Sequence, residues 1–229
     1  MWKMHRYHYI RRVIISEIAY MSTRNLFHTD FTRIVPLTHR TLTIFGWLTM
    51  MSAFSSIPML YLALKLEDRL DTVATLIQGG LQVAGTILFV VITLILKRFL
   101  NRLFTFHDTN KSIDLMIMAN VVAGVLVLGG LYFAPIKETT GIAALVMMVF
   151  AGIVQIQLGF KLLKLDNNLG GLLKPFCYIN MATGVCVASI VLILVGVVVS
   201  AISDLMLATI FFNVSKQLKD VEQSRSEKL

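Results

Sequence analysis

The sequence predicts an all-α protein, a polytopic transmembrane helical bundle, and three observations carry that prediction. The first is composition: 56% of the 229 residues belong to the AVILMFWYC set, only 15% are charged, and the mean hydropathy is +0.76. An average soluble domain holds about 45–50% apolar and about 25% charged residues. So few charges cannot cover a surface in water. Composition therefore excludes an ordinary soluble domain, a disordered chain and a disulfide scaffold.

The second observation is that the charged residues leave long gaps. Five stretches contain no Asp, Glu, Lys or Arg, namely residues 41–64, 72–96, 115–136, 139–160 and 175–203, which are 24, 25, 22, 22 and 29 residues long. A helix needs about 20 mainly apolar residues to cross a bilayer core of about 30 Å. Apolar and polar residues do not alternate in these stretches, as they would in a membrane β-barrel. Each stretch therefore predicts a helix, whose backbone satisfies its own hydrogen bonds in lipid.

The last stretch allows two interpretations, because residues 175–215 contain a single charge, Asp204. One continuous helix of that length would measure about 60 Å, twice the thickness of the hydrocarbon core. The first interpretation is a pair of spans that turn near Gly196. The second is a single span followed by an interfacial helix.

The third observation is the distribution of Lys and Arg, which favours the pair of spans over a single span with an interfacial helix. With six spans, 18 of the 21 Lys and Arg residues fall on one side of the membrane, whereas five spans give 14 against 7. The positive-inside rule places that basic side in the cytoplasm. We predict six spans, a basic cytoplasmic tail over residues 1–40 with an interfacial helix, a transmembrane bundle over 41–215, and a polar cytoplasmic tail over 216–229. The spans are expected at about 42–64, 72–96, 115–135, 140–160, 175–194 and 197–215.

Polar residues at membrane depth are the main candidates for function. They are Gln78, Gln82, Asn120, Gln155, Asn180, Ser200 and Asp204. Amide side chains in spans often join helices through hydrogen bonds worth about 0.6 kcal/mol on average. An ionisable residue there costs about 2.5–3.5 kcal/mol on insertion scales and suggests a function. We therefore keep two interpretations of this set, interhelical contacts and a polar pathway.

Small residues and one proline predict how the helices pack. Four pairs have the four-residue spacing that lets helices approach closely: Gly80–Ala84, Ala119–Ala123, Gly184–Ala188 and Gly196–Ser200. Pro58 lies inside the first span and removes a backbone donor, so a kink is expected there.

No set of residues predicts catalysis, a metal or a cofactor. The five histidines lie outside the predicted spans, at His5, His8, His28, His39 and His107. Cys177 and Cys186 are nine residues apart, about 13 Å along a helix, which is too far for a disulfide. We find no Ser–His–Asp arrangement, no phosphate-binding glycine loop and no nucleic-acid-binding motif. Catalytic residues, metal ligands, cofactors and nucleic acid are therefore not expected.

Two functions follow from these observations. The preferred one is a non-catalytic accessory or structural component of the membrane, as a homo-oligomer or within a larger complex. The alternative is a small-solute or ion transporter or channel subunit that uses the polar intramembrane residues. An intramembrane enzyme is the least favoured class. In each case the expected partners are the lipid bilayer and anionic headgroups at the basic loops, and the default location is a bacterial inner membrane.

Overall fold

The computed structural model describes residues 38–67, 72–165 and 171–226, and these form six α-helices. In chain order they are α1 His39–Glu67, α2 Thr72–Leu103, α3 Asn110–Tyr132, α4 Lys137–Leu162, α5 Leu173–Ala188 and α6 Ile193–Ser226. A short 3₁₀ helix, Ala134–Ile136, precedes α4. The predicted interfacial helix of the N-terminal tail lies outside the described residues.

Five of the helices are long and apolar enough to cross a membrane. These segments are His39–Leu66, Thr72–Leu103, Asn110–Tyr132, Lys137–Leu162 and Ile193–Asp220. The all-α bundle predicted from the sequence is therefore confirmed. The exception is α5, whose 16 residues measure about 24 Å, less than the hydrocarbon core of about 30 Å.

The turn between the last two helices lies earlier than expected. The structure contains the predicted pair of helices but turns at Ser189–Leu192 rather than near Gly196. The Ser189 hydroxyl donates to the Cys186 carbonyl oxygen at 2.9 Å and accepts the Leu192 backbone N–H at 3.3 Å. Ile190 adopts a left-handed φ of 57°, which is rare for a β-branched residue and has no signal in the sequence.

One further boundary differs from expectation, whereas Pro58 lies inside the first helix as predicted. Helix α6 continues to Ser226, so most of the predicted C-terminal tail extends the last span as helix. Helix α1 runs through Pro58, which is exposed on the outer surface of the bundle. A proline near the lipid-facing side removes one backbone donor without ending the helix.

The helices form a closed ring in chain order. Each one packs against the next, and α1 packs extensively against α6 to complete the ring. Short connections make neighbouring helices antiparallel. We call the end that holds the α2–α3 and α4–α5 connections the basic end, since it also holds most of the Lys and Arg residues. The other end, with the remaining connections, is the opposite end.

The basic end is closely packed. Its fully buried large side chains come from all six helices and are Leu42, Phe99, Leu100, Ile113, Ile117, Leu158, Leu162, Cys177, Ile210 and Phe211. The Phe99 and Phe211 rings meet edge to face with centroids 5.2 Å apart. An ion pair between Lys97 and Asp114 joins α2 to α3. This end of the bundle is therefore closed by side chains.

Glycines bring α4 and α5 into backbone contact. A Cβ atom added at Gly152 would lie 2.7 Å from the Gly184 carbonyl oxygen and 2.8 Å from the Ala188 backbone nitrogen. The prediction that the Gly184–Ala188 pair permits close packing is confirmed. The Gly80–Ala84 prediction is wrong within the described chain, because a Cβ at Gly80 has no atom within 4 Å and both residues are exposed.

We predict that Gly152→Ala destabilises the bundle by about 1–3 kcal/mol, because the added methyl group must push two backbones apart. The matched control is Gly80→Ala, which enters open space and should leave stability unchanged or raise it by about 0.5–1 kcal/mol through helix propensity. Thermal unfolding of the purified protein in detergent measures both. Equal effects of the two substitutions would show that α4 and α5 are not in backbone contact.

Candidate functional site

A cavity of about 870 Å³ lies between the helices, and all six helices contribute to its lining. In chain order, the first lining residue on α1 is Ser56, the last on α2 is Phe89 and the last on α6 is Ser200. On these three helices the lining lies toward the opposite end, whereas Met116 on α3 and Gln155 on α4 extend it past the middle toward the basic end. The packed side chains of the basic end therefore form its floor.

Most of the polar residues that the sequence singled out line this cavity. They are Gln78, Gln82, Asn120, Gln155 and Ser200. Helices α2, α3, α4 and α6 supply them, so the fold brings together side chains that are far apart in sequence. Two of the predicted set, Asn180 and Asp204, lie beside the cavity rather than in its lining.

The structure adds polar lining residues that sequence analysis did not single out for this role. They are Ser56, Thr86, Lys137, Thr140 and Thr183. Threonine hydroxyls bond to the helix backbone, as Thr183 does to the Ile179 carbonyl oxygen, so they resemble ordinary helix residues in a sequence. Lys137 marks a span boundary in the sequence, and only the fold shows that it borders the cavity.

The amides form one interhelical contact and leave two atoms without protein partners. Gln155 Nε2 donates to Asn180 Oδ1 at 2.9 Å, which joins α4 to α5. Within the described residues, Asn120 Oδ1 and Asn180 Nδ2 are buried and have no hydrogen-bond partner. A buried polar atom without a partner costs about 1–3 kcal/mol. These atoms indicate positions where water or a bound molecule supplies the missing hydrogen bond.

Asp204 lies in the middle of α6, about 16 Å from the start of that helix. Its Oδ2 accepts a hydrogen bond of 3.1 Å from Ser52 Oγ on α1. Ser200 lies one turn away on the same face of α6 and lines the cavity. The carboxyl group is therefore at membrane depth, next to the cavity floor, in the contact that closes the ring.

The cysteine, histidine and acidic side chains are spread over the described helices and loops. In the part of the chain that the structure describes, no group of three or more His, Cys, Asp or Glu side chains comes together as a metal site would require. Cys177 and Cys186 are free and buried. His107 bonds through Nδ1 to the Thr105 carbonyl oxygen, outside the spans.

Comparisons with protein-family models, with curated protein sequences and with solved structures find no match to this chain. The class of protein follows from the five apolar helices and their packing alone. The chain is a multi-pass helical membrane protein with a cavity between its helices, whose lining is mostly apolar and includes amide and hydroxyl groups.

We predict that Gln82→Cys reacts with a membrane-impermeant maleimide faster than Val83→Cys. Gln82 lines the cavity, whereas Val83 lies at the same depth on the outer surface, where it is 42% exposed. Maleimides react with the thiolate, which forms in a hydrated cavity and not among acyl chains. Mass spectrometry of protein in proteoliposomes measures the rates, and wild type, with two buried cysteines, is the blank. Equal rates would contradict a hydrated cavity.

Proposed function

We propose that this protein is a membrane carrier for a small neutral organic solute, which binds in the cavity between the six helices. The observation that carries the proposal is the cavity itself. Its volume of about 870 Å³ falls within the range of about 300–1,000 Å³ that is typical of small-molecule sites. A site of this kind near the middle of a membrane bundle is typical of carriers.

The lining indicates the chemistry of the solute. Amide and hydroxyl groups both donate and accept hydrogen bonds, so they can replace the water around a neutral polar molecule. Leu81, Phe89, Met116 and Met147 add apolar surface that suits carbon-rich parts. Among the described lining residues Lys137 is the one ionisable side chain, which disfavours a cationic solute. The solute class is therefore neutral molecules with both hydroxyl or amide groups and hydrocarbon.

The cavity favours a carrier over an accessory or structural role. A purely structural bundle gains stability when its interior is filled, because an empty space forfeits packing contacts. Here the space is lined by polar groups that cost free energy to bury. The same proposal includes a non-catalytic role, assembly with further copies of this chain or with other membrane proteins, and contact of the basic end with anionic headgroups.

The proposed location is a cell membrane, with the bacterial inner membrane as the default. Both termini then lie in the cytoplasm, since 18 of the 21 Lys and Arg residues fall on that side in the six-span arrangement. In this orientation the cavity lies toward the external half of the membrane. The charge distribution supports this orientation.

We predict that an epitope tag fused after Leu229 is protected from protease in intact cells and is cleaved after the cells are permeabilised. The physical reason is the cost of moving the basic segments away from the cytoplasmic leaflet. A tag inserted within residues 68–71, between α1 and α2, is the control and should be cleaved in intact cells. Cleavage of both tags in intact cells would show five spans instead of six, and cleavage of the C-terminal tag alone would reverse the orientation.

Solute permeation can be measured without knowing the solute in advance. We predict that proteoliposomes swell faster than protein-free vesicles in an isosmotic gradient of at least one neutral solute. The panel comprises polyols from glycerol to sorbitol and aliphatic amides from acetamide to hexanamide. Stopped-flow light scattering records the rate. The outcome that contradicts the proposal is equal swelling for every member of the panel.

A pair of tryptophan variants links permeation to the cavity. Ala123 lines the cavity on α3, so Ala123→Trp should fill part of it and return swelling to the rate of protein-free vesicles. Ala84 is exposed on the outer surface of α2, and Ala84→Trp should keep the wild-type rate. If both variants keep that rate, the solute does not pass through the cavity.

A further inference from the structure

The contact between Ser52 and Asp204 lies immediately beneath the cavity. Ser56 on α1 and Ser200 on α6 line the cavity, and each lies four residues, about one turn, from Ser52 and Asp204 respectively. The Ser56 hydroxyl donates to the Ser52 carbonyl oxygen at 2.8 Å. Ser56, Ser52 and Ser200 therefore form a row of hydroxyl side chains, spaced about one turn apart along their helices, between the cavity and the carboxyl group.

The row ends just below the carboxyl group. Thr49 is fully buried one turn further along α1, and its hydroxyl bonds to the Phe45 carbonyl oxygen of its own helix. On α6 the corresponding positions are Ala208 and Phe211, both at most 2% exposed. The polar connection is therefore open toward the cavity and closed toward the basic end.

No cation balances the carboxylate within the described residues. Ser52 is the one polar partner of Asp204 there. Helix α6 packs against α1 and α5, and its Phe211 contacts Phe99 of α2. The charged and titratable residues that these elements carry nearest to the pair are His39, Arg40, Tyr61, Lys65 and Glu67 on α1, Lys174, Cys177, Tyr178 and Cys186 on α5, Arg98 on α2 and Lys216 on α6.

On α1, α2 and α6 these groups are two or more helical turns from the carboxyl group along the helix axes, whereas Lys174, Cys177 and Tyr178 of α5 lie nearer to its level. Arg98 precedes Phe99, which packs at the level of Phe211, seven residues or about 10 Å from Asp204 along α6. Cys186 packs beside Gly196, eight residues or about 12 Å away on the other side. Within the described residues Asp204 therefore forms no ion pair, and its polar partner is Ser52.

A single hydroxyl does not neutralise a carboxylate at membrane depth. Ionisable side chains in spans are costly, and in membrane proteins they typically pair with another group or belong to an ion or proton pathway. A bound proton removes the charge and leaves the carboxyl group able to both donate and accept hydrogen bonds. A metal cation would need several oxygen ligands around it, whereas this site presents one carboxylate and one hydroxyl.

We propose that Asp204 and Ser52 form a proton-binding site whose occupancy controls solute binding in the cavity. This inference rests on the proposed carrier function, which it deepens by naming the coupling ion. A proton arrives from water in the cavity, one O–H bond forms on the carboxylate, and the net charge of the site rises by one. Because Asp204 lies in the contact that closes the ring, its charge bears directly on how α1 and α6 pack beside the cavity.

The first test uses the panel solute that permeates fastest. An inward proton gradient should speed solute entry into wild-type proteoliposomes, and pyranine trapped inside should report acidification that depends on the solute. Asp204→Asn keeps the shape of the side chain but cannot exchange a proton, so we expect both effects to be lost. Asp114→Asn is the matched control, because Asp114 pairs with Lys97, neither residue lines the cavity, and both effects should persist.

The second test does not depend on transport. Infrared difference spectroscopy of the full-length protein should show a carboxyl C=O band that appears as pH falls and is absent in Asp204→Asn. Ser52→Ala should shift the pH at which this band is half-formed. Ser55→Ala, whose hydroxyl bonds only to its own helix at the Ser52 carbonyl oxygen, should leave it unchanged.

The outcomes separate the two proposals. Solute entry that ignores the proton gradient, or that responds equally in wild type and Asp204→Asn, overturns the inference and leaves the carrier function standing. A missing infrared difference between wild type and Asp204→Asn also overturns it. If no panel solute enters, the carrier function and the coupling both fail, and the infrared titration still decides whether the site takes up a proton.

Discussion

The contact between the first and last helices is the interaction on which the rest of the structure depends. Helices α1 and α6 are far apart in sequence, yet they pack extensively and convert a row of hairpins into a ring. Trp47 and Phe212 meet edge to face at 5.7 Å, and a Cβ atom added at Gly46 would lie 2.7 Å from the Phe212 ring. The Thr43 and Ser215 hydroxyls bond across the same interface at 2.8 Å. Without this contact the cavity would have no closing wall.

The helices of the ring are packed more closely at one end of the bundle than at the other, and this difference creates the cavity. Large aromatic and branched side chains fill the basic end, whereas the helices leave a space between them nearer the opposite end, lined mostly by apolar side chains with a few amides and hydroxyls. A membrane protein gains no hydrophobic free energy from burying apolar groups away from lipid, so van der Waals packing and interhelical hydrogen bonds hold the bundle together. Both kinds of contact occur at the basic end, where Lys97 pairs with Asp114 and Lys161 bonds to Ser112. A cavity with a closed floor is the result.

The sequence predicted those features whose free-energy cost restricts which residue types a segment can contain. Charges are so costly in lipid that their absence located the cores of the first four helices, whereas it left the division of residues 175–215 open. The same cost makes Gln78, Gln82, Asn120 and Asp204 conspicuous among the apolar residues around them. The turn at Ile190 could not be predicted in this way, because it is formed by a serine cap and one left-handed residue instead of the expected glycine. Likewise, Gly80 and Gly184 look alike in sequence, although only Gly184 faces another helix.

By itself the sequence determined that the chain crosses a membrane as a helical bundle, and it identified the polar residues at membrane depth. Those features depend on local transfer free energies, which each segment carries wherever its neighbours lie. Only the tertiary structure decided that five of these polar residues line one cavity. It also decided that Asn180 accepts a hydrogen bond from Gln155 and that Ser52 is the partner of Asp204. These features depend on the order in which the helices pack and on how each is rotated about its axis. Both are determined by contacts between segments that are distant in sequence.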